Sequence, residues 1–341
     1  MIRPKLIDSL EWAKTLTIKR VWNLILCYVG FYVSKISKKP YQLSMPVSIA
    51  IEPTTSCNLR CPECPSGLRS FSRETGMLQQ SFFEKMVSEL APATNYLTFY
   101  FQGEPYLNPS FLEMAKFANS KKIYTATSTN AHYLNDEMAK KTIESGLKRL
   151  IISIDGTSQE TYSSYRVGGN LSKVIEGAKN ILKWKKELNS NTPYVIFQFL
   201  VVKPNEHQID DVLQLGKELG VDDVRFKTAQ VYDYKNGNAL IPENENYSRY
   251  KKNTDGTYSI KNNLENQCWR MWQSAVITWD GKVVPCCFDK DAQHQLGDVS
   301  THTFKEVWQG KAYKNFRENI LKSRNEIEIC KNCSEGTKVW G

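Results

Sequence analysis

The sequence lacks an apolar run long enough to cross a bilayer. Its longest, residues 21–33 (VWNLILCYVGFYV), ends after thirteen residues, and a spanning helix needs about 20. A charged leader followed by an apolar stretch and a small-residue cleavage site is also missing, so no secretory signal is expected. Neither a Walker-type P-loop nor a Gly-x-Gly-x-x-Gly turn occurs, which removes two common phosphate-cradling motifs. There is no internal repeat and no low-complexity tract. With 41% hydrophobic and 24% charged residues in 341, a disordered or collagen-like chain is excluded. Basic and aromatic residues form no stripe across the body of the chain, so no nucleic-acid partner is expected.

What charge there is sits unevenly. Of the net +9, six belong to residues 1–50, where Arg3, Lys5, Lys14, Lys19, Arg20, Lys35, Lys38 and Lys39 face only Asp8 and Glu11. Residues 7–36 read as one helix, with Trp12 and Trp22 along it and basic residues at both ends. Such a helix fits a membrane interface with its lysines against anionic lipid. It equally fits packing on the main domain or on a second subunit.

From residue 47 the pattern alternates. Apolar β-rich runs at 47–51, 96–101, 123–128, 149–154, 194–202 and 224–228 are separated by helical stretches at 79–90, 109–119, 136–145, 171–188 and 206–219. Six strands separated by helices imply a parallel α/β sheet of βαβ units. Asn108-Pro109 is a helix start and Gly220 a helix stop. Residues 233–262 are polar and read as a linker. Beyond it, 275–279 and 282–285 form a hairpin through Asp280-Gly281, followed by short helices at 304–308 and 312–321. The expected organisation is an N-terminal helix (1–45), an α/β core (46–232), the linker (233–262) and a cysteine-bracketed extension (263–341).

The nine cysteines are clustered. A chain this long can bury its core without disulfide staples, so tight clusters read as reduced thiolates that hold metal. Cys57, Cys61 and Cys64 fall on one loop after the first strand. A structural zinc site wants four ligands, and so does an iron–sulfur cubane that only carries electrons. Three cysteines leave one iron open. The alternative is zinc, completed by a distant His or Cys. Cys268, Cys286, Cys330 and Cys333 supply four thiolates, enough for one closed cubane or one zinc. Cys27 reads as structural.

The Cys57-x3-Cys61-x2-Cys64 loop after the first strand resembles that of radical S-adenosylmethionine (SAM) enzymes. Further landmarks resemble the family in the expected order over roughly residues 47–335. Gln102-Gly103-Glu104-Pro105 is similar to the motif that positions the amino group of SAM. Ser128 and Asn130 end the third strand, where the ribose is contacted. Ser153 and Arg166 stand where a Ser and an Arg hold the SAM carboxylate. The end of the sixth strand, residues 228–230 with Gln230, falls beside the adenine. The chain departs from the family at Gln102, in place of a first glycine. It departs again at Glu63, where many members have an aromatic residue near the adenine. The C-terminal four cysteines resemble the SPASM/twitch extension in a short form.

The resemblance implies a partial (β/α)6 TIM-like barrel with this extension, and two [4Fe–4S] clusters, one binding SAM and one auxiliary. It also implies an external reductant such as flavodoxin or ferredoxin. The expected reaction is reductive cleavage of SAM to a 5′-deoxyadenosyl radical, which removes a substrate hydrogen atom. A closed auxiliary cluster that accepts the electron favours net oxidation. Cys287 is left over: it replaces Cys286 as ligand, donates a hydrogen atom to a substrate radical, or is a buried thiol. The first 45 residues are too short and apolar for a peptide-recognition domain, which tilts the expectation to a sugar, cyclitol or envelope-linked small substrate. A peptide-modifying maturase, an epimerase and a zinc-binding interaction protein are the alternatives. Reduced thiols and the missing signal place the expected protein in the cytoplasm, with the inner membrane face as a possible station.

Overall fold

The computed structural model describes residues 4–337 and 339. Arg3 and the last residues of the expected extension (338, 340 and 341) lie outside the described residues. In chain order the first elements are α1 (Pro4–Ala13), α2 (Ile18–Ser37), β1 (Ser48–Ile51), α3 (Pro65–Leu68), α4 (Gln80–Leu90), β2 (Tyr96–Thr98), α5 (Phe111–Ser120) and β3 (Tyr124–Thr129). They continue with α6 (Asp136–Glu144), β4 (Arg149–Ser153), α7 (Gln159–Tyr165), α8 (Leu171–Glu187), β5 (Tyr194–Val201), α9 (Ile209–Leu219) and β6 (Asp223–Thr228). Strands β1 to β6 pair in chain order, each parallel to the next. This is the expected partial barrel of six βα units.

The strand faces alternate as a sheet covered by helices requires. Ile49 and Ile51 of β1 and Leu97 of β2 are buried in one core with Phe83 and Val87 of α4. Ser48, Ala50, Tyr96 and Thr98 face the other way and keep partial exposure. They line the concave side.

The stretch expected as a linker folds as a small structure. It contains the antiparallel hairpin β7 (Tyr250–Lys252) and β8 (Tyr258–Ile260). Buried Val231, Ile241 and Tyr250 pack with Leu59, Cys61 and Tyr165. Tyr234 and Tyr250 stack with ring centres 4.5 Å apart. A few tyrosines carry this packing, and polar composition hid it.

The extension comprises α10 (Arg270–Gln273), β9 (Ser274–Ile277), β10 (Lys282–Val284), β11 (Gly297–Asp298), α11 (Phe304–Gln309) and α12 (Lys311–Ser323). The hairpin β9–β10 turns where expected, with Gly281 at φ +91°. However, β9 also pairs in parallel with β1, so the extension lengthens the barrel sheet to nine strands.

The single N-terminal helix expected over residues 7–36 is two helices, bent by 97°. Thr17 caps α2 by accepting from the Arg20 N–H at 3.3 Å, and Thr15 Oγ1 donates to the Trp12 carbonyl at 2.7 Å. Arg20 is buried and donates to the carbonyls of Thr15 (2.6 Å), Ala91 (2.7 Å) and Lys121 (2.9 Å). These bonds fasten the corner to the barrel. Helix α1 then crosses the N-terminal ends of β3 and β4. There Asp8 accepts from Tyr124 and pairs with Arg149, and Glu11 pairs with Lys148 at 2.9 Å. Among the described residues no single helix is long and apolar enough to cross a membrane.

Candidate active site

The loop after β1 carries Cys57, Cys61 and Cys64 to the C-terminal end of the parallel strands. Cys64 stands at the start of α3, with Pro65 at the first helical position. Glycine is required at 67: a Cβ there would lie 2.6 Å from the backbone N and O of Cys61. The turn is thereby packed directly on the cysteine loop. The Ser66 hydroxyl accepts from the Gly103 N–H at 2.9 Å. Gly103 has φ +75°, and a Cβ on it would meet the Thr54 carbonyl oxygen at 2.1 Å. Two glycines thus clamp the thiol loop against the end of the second βα unit.

A cavity of about 240 Å³ opens beside these thiols. Cys57, Cys61, Cys64, Gln102, Gly103, Glu104, Ser128, Asn130, Ser153 and Arg166 all line it. Every one of these was singled out in the sequence, and the fold draws them from the ends of four strands and, for Arg166, from the end of α7. Pro105 and Gln230 do not line it. Pro105 opens a buried 3-10 turn, while the neighbours of Gln230, Ala229 and Val231, are buried beneath the cysteine loop.

Glu104 is the most constrained of these residues. Its carboxylate accepts from Thr129 Oγ1 at 2.7 Å, from the Asn130 N–H at 2.8 Å and from the Tyr106 N–H at 3.3 Å. Burial nevertheless dominates and raises its pKa to about 7, against those hydrogen bonds. A cation placed against it would restore the carboxylate. Arg166 pairs with buried Asp155 through Nε and brings Nη1 to 3.8 Å from Cys61 Sγ. Asn130 Nδ2 lies 3.9 Å from Cys57 Sγ. Burial pushes the Cys57 thiol up to about 11 and raises that of Cys61, where Arg166 opposes it.

The second constellation is assembled from separate segments. Cys268 precedes α10, Cys286 follows β10, and Cys330 and Cys333 share a turn closed by a 3.0 Å bond from the Cys333 N–H to the Cys330 carbonyl. Burial raises the Cys286 thiol, and the charges of Cys287, Cys268 and Cys330 add to it, so these four are electrostatic neighbours. Arg324 is fully buried and stands 3.4 Å from Cys333 Sγ while donating to the Gln267 carbonyl at 2.8 Å. Cys287 stands beside the same constellation: burial raises its thiol, and Arg270, Glu335, Cys333 and Lys227 act on it. Cys27 is buried with its thiol 3.2 Å from the Trp272 carbonyl, as a structural residue would be.

The donor chemistry at both places suits an anionic iron–sulfur cluster. Each set consists of thiols alone, with a guanidinium beside it. Among the described residues no three His, Cys, Asp or Glu side chains converge tightly enough to hold a single ion. A cubane binds one cysteine per iron and asks for wider spacing than one zinc does.

Sequence reasoning missed part of the wall. Tyr100, Phe101, Tyr165, Leu200 and Lys290 also line the cavity. Lys290 comes from the loop after β10, so the extension closes the side facing Glu63. Its Nζ lies 3.4 Å from the Glu63 carbonyl and 4.7 Å from the centre of the Tyr232 ring. Burial lowers its pKa. Glu63 itself accepts from the Tyr232 N–H at 3.0 Å. Only the long-range pairing of β9 with β1 brings Lys290 here, and no local pattern announces it.

The family model of the Radical SAM superfamily matches residues 51–224, and that of an iron–sulfur cluster-binding domain, SPASM, matches residues 268–334. The chain is 26% identical to a tungsten-containing aldehyde ferredoxin oxidoreductase cofactor-modifying protein of Pyrococcus furiosus, over 83% of this chain and 86% of that one. It is 25% identical to a PqqA peptide cyclase of Bradyrhizobium diazoefficiens, over 85% of this chain and 79% of that one. The crystal structure of Streptococcus suis SuiB bound to S-adenosylmethionine has the same fold, with TM-score 0.65 at 14% identity over 90% of this chain and 75% of that one.

Proposed function

The chain belongs to the radical SAM superfamily, and on that premise we propose that it abstracts a hydrogen atom from a substrate C–H bond and carries the reaction to net oxidation. Its two domains bring a SAM-binding [4Fe–4S] cluster and an auxiliary iron–sulfur cluster. The observation that carries the proposal is one cavity in which three thiols meet Gln102, Gly103, Glu104, Ser128, Asn130, Ser153 and Arg166.

Cys57, Cys61 and Cys64 would hold the first cluster, three thiolates for its irons. When bound and reduced, that cluster supplies the electron that splits SAM into methionine and a 5′-deoxyadenosyl radical. Glu104 receives the SAM ammonium, with Gln102 and Gly103 shaping the approach. Ser153 and Arg166 hold the carboxylate, and Asp155 fixes the Arg166 fork in place. Ser128 and Asn130 meet the ribose. Gln230, off the cavity wall, meets the adenine only if its loop moves inward. Lys290 and the extension shut the cavity on the far side and exclude water. Cys268, Cys286, Cys330 and Cys333 would hold the auxiliary cluster, which would supply an acceptor for one electron while the substrate radical releases a proton to solvent. Cys287 stands among Arg270, Glu335, Cys333 and Lys227. In this reading it is the hydrogen-atom donor or substrate contact, and the alternative is that it replaces Cys286 as a ligand.

Two substrate classes follow. A sugar, cyclitol or envelope-linked small substrate is the first. A peptide is favoured by the relative that is a peptide cyclase. A flavodoxin or ferredoxin serves as reductant. Reduced thiols suit the cytoplasm.

Anaerobic incubation with SAM, dithionite and each substrate class tests the proposal. The expected result is 5′-deoxyadenosine plus a product lighter by two hydrogens. Substrate returned at its original oxidation level would remove the oxidative reading. Absence of 5′-deoxyadenosine would remove the radical one.

A further inference from the structure

Helix α2 is inside out for a helix on the surface of a protein surrounded by water. Such a helix buries its apolar stripe and presents polar residues to solvent. Here the inward face carries Arg20, Asn23, Cys27, Gly30, Phe31 and Ser34, all buried. Its polar groups are bonded. Asn23 donates to the Met45 carbonyl at 3.0 Å and accepts from the Met45 N–H at 2.9 Å. Ser34 donates to the Gly30 carbonyl at 2.6 Å and accepts from the Tyr41 N–H at 2.7 Å. Gly30 leaves room for the chain that returns beneath the helix: a Cβ there would lie 2.7 Å from the Tyr41 oxygen.

The outward face carries Ile18, Trp22, Ile25, Val29, Val33 and Ile36, spaced as one stripe along the helix. Ile18 is 91% exposed, Ile36 81% and Trp22 60%. Leu6 and Leu10 of α1 are exposed as well. Charge around the stripe has one sign. Helix α2 contains no Asp or Glu. Lys19 at its start and Lys35, Lys38 and Lys39 at its end are exposed. The two acidic residues of the arm, Asp8 and Glu11, are engaged by Arg149 and Lys148.

An apolar stripe bordered by cations matches one surface in both respects. The acyl boundary of a bilayer takes the apolar side chains, and anionic headgroups take the lysines. Trp22 and Tyr32 suit the layer between. A second copy is the weaker match, because a two-fold contact through this face would bring lysines against lysines.

We propose that the outer face of α2, with Leu6 and Leu10, seats this protein on an anionic lipid bilayer with the helix lying in the plane of the surface. The arm packs at the N-terminal ends of the strands, through Met45, Ala91 and Lys121. The SAM-side cavity lies at their C-terminal ends. A docked protein therefore turns its cavity mouth toward the aqueous phase, open to a soluble reductant. The surface stands independently of the chemistry assigned to that cavity.

The test is co-sedimentation of the full chain, clusters loaded, with vesicles of phosphatidylcholine alone or mixed with phosphatidylglycerol, alongside light scattering without lipid. Binding is expected to the mixed vesicles, at least about tenfold weaker to phosphatidylcholine or in high salt. Trp22→Glu with Val29→Glu should abolish it. Lys35→Glu, Lys38→Glu and Lys39→Glu together should weaken it about a hundredfold, and this second variant keeps the test alive should the first misfold. Both variants should cleave SAM as before, which separates failure here from failure of the enzymatic reading. Equal or no binding to both vesicle types would overturn the proposal. So would a lipid-free dimer that the Trp22 and Val29 variant dissolves, since a second copy would then cover the face.

Discussion

The two cysteine constellations use the same ligand chemistry in opposite surroundings. The first comes from one loop of eight residues, and its thiols look into a cavity of about 240 Å³. The second is gathered from segments that span residues 268 to 333, and none of its four thiols lines a cavity, although Trp269, Arg270, Ser334, Glu335 and Gly336 beside them border another space of about 720 Å³. Arg324 is fully buried against it, and a Cβ on Gly336 would strike Cys268 Sγ at 2.7 Å. The count of thiolates alone, three against four, suggests an open and a closed site. The packing adds a difference: at the first site the thiols themselves look into space shared with Glu104, Ser153 and Arg166, and at the second a guanidinium stands against Cys333 and the Gly336 backbone against Cys268.

That contrast can be broken by substitution. Replacing Cys57, Cys61 and Cys64 together by Ala should abolish 5′-deoxyadenosine formation while about four irons per chain remain, as metal analysis and product chromatography would read. Replacing Cys330 and Cys333 should do the converse. Iron falls by about four and SAM cleavage persists, but oxidised product is lost. If either substitution removes both clusters, the sites are not independent.

Smaller effects sharpen the open site. Glu104→Gln removes a charged partner of the SAM ammonium, and a hydrogen bond to a charged group is worth about 1.5–3 kcal/mol. SAM affinity measured by calorimetry should therefore fall by about ten- to a hundredfold. The wild type should show a milder version with pH. Burial raises the Glu104 pKa to about 7, so below that pH the free enzyme holds a neutral carboxyl. SAM binding must then expel a proton, and affinity should drop by up to about tenfold per pH unit on the acid side and level off above. The same shift means that folded protein holds this proton more tightly than unfolded chain. Its contribution to stability is complete below the ordinary carboxylate pKa and is lost as pH rises toward 7. Smallest of all, Cys287→Ala should leave SAM cleavage unchanged and alter only the fate of the substrate radical, read as the ratio of oxidised to returned substrate.

Much of this was legible in the sequence because it is local. Six β-rich runs and the Asp280-Gly281 turn depend on a few adjacent residues. So does the spacing of Cys57, Cys61 and Cys64. The helix expected to start at Asn108-Pro109 instead begins at Phe111, because Asn108 ends the preceding 3-10 turn and Ser110 is the N-cap. The larger misses are long-range. Nothing near Lys290 reveals that β9 pairs with β1 and carries it to the cavity. The break between α1 and α2 depends on Arg20 reaching Ala91 and Lys121, carbonyls some hundred residues away at the farthest. The fold of residues 233–262 rests on Tyr234, Ile241 and Tyr250 finding the underside of the cysteine loop, which their polar neighbours concealed.

The central claim is one open and one closed cluster in the same chain. Electron paramagnetic resonance of the anaerobically reduced protein, titrated with SAM, addresses it directly. The account predicts signals from two [4Fe–4S] clusters, of which one shifts on SAM binding and disappears in the Cys57, Cys61 and Cys64 variant, while the other stays unchanged. A colourless protein holding zinc, or two signals that both shift with SAM, would contradict it.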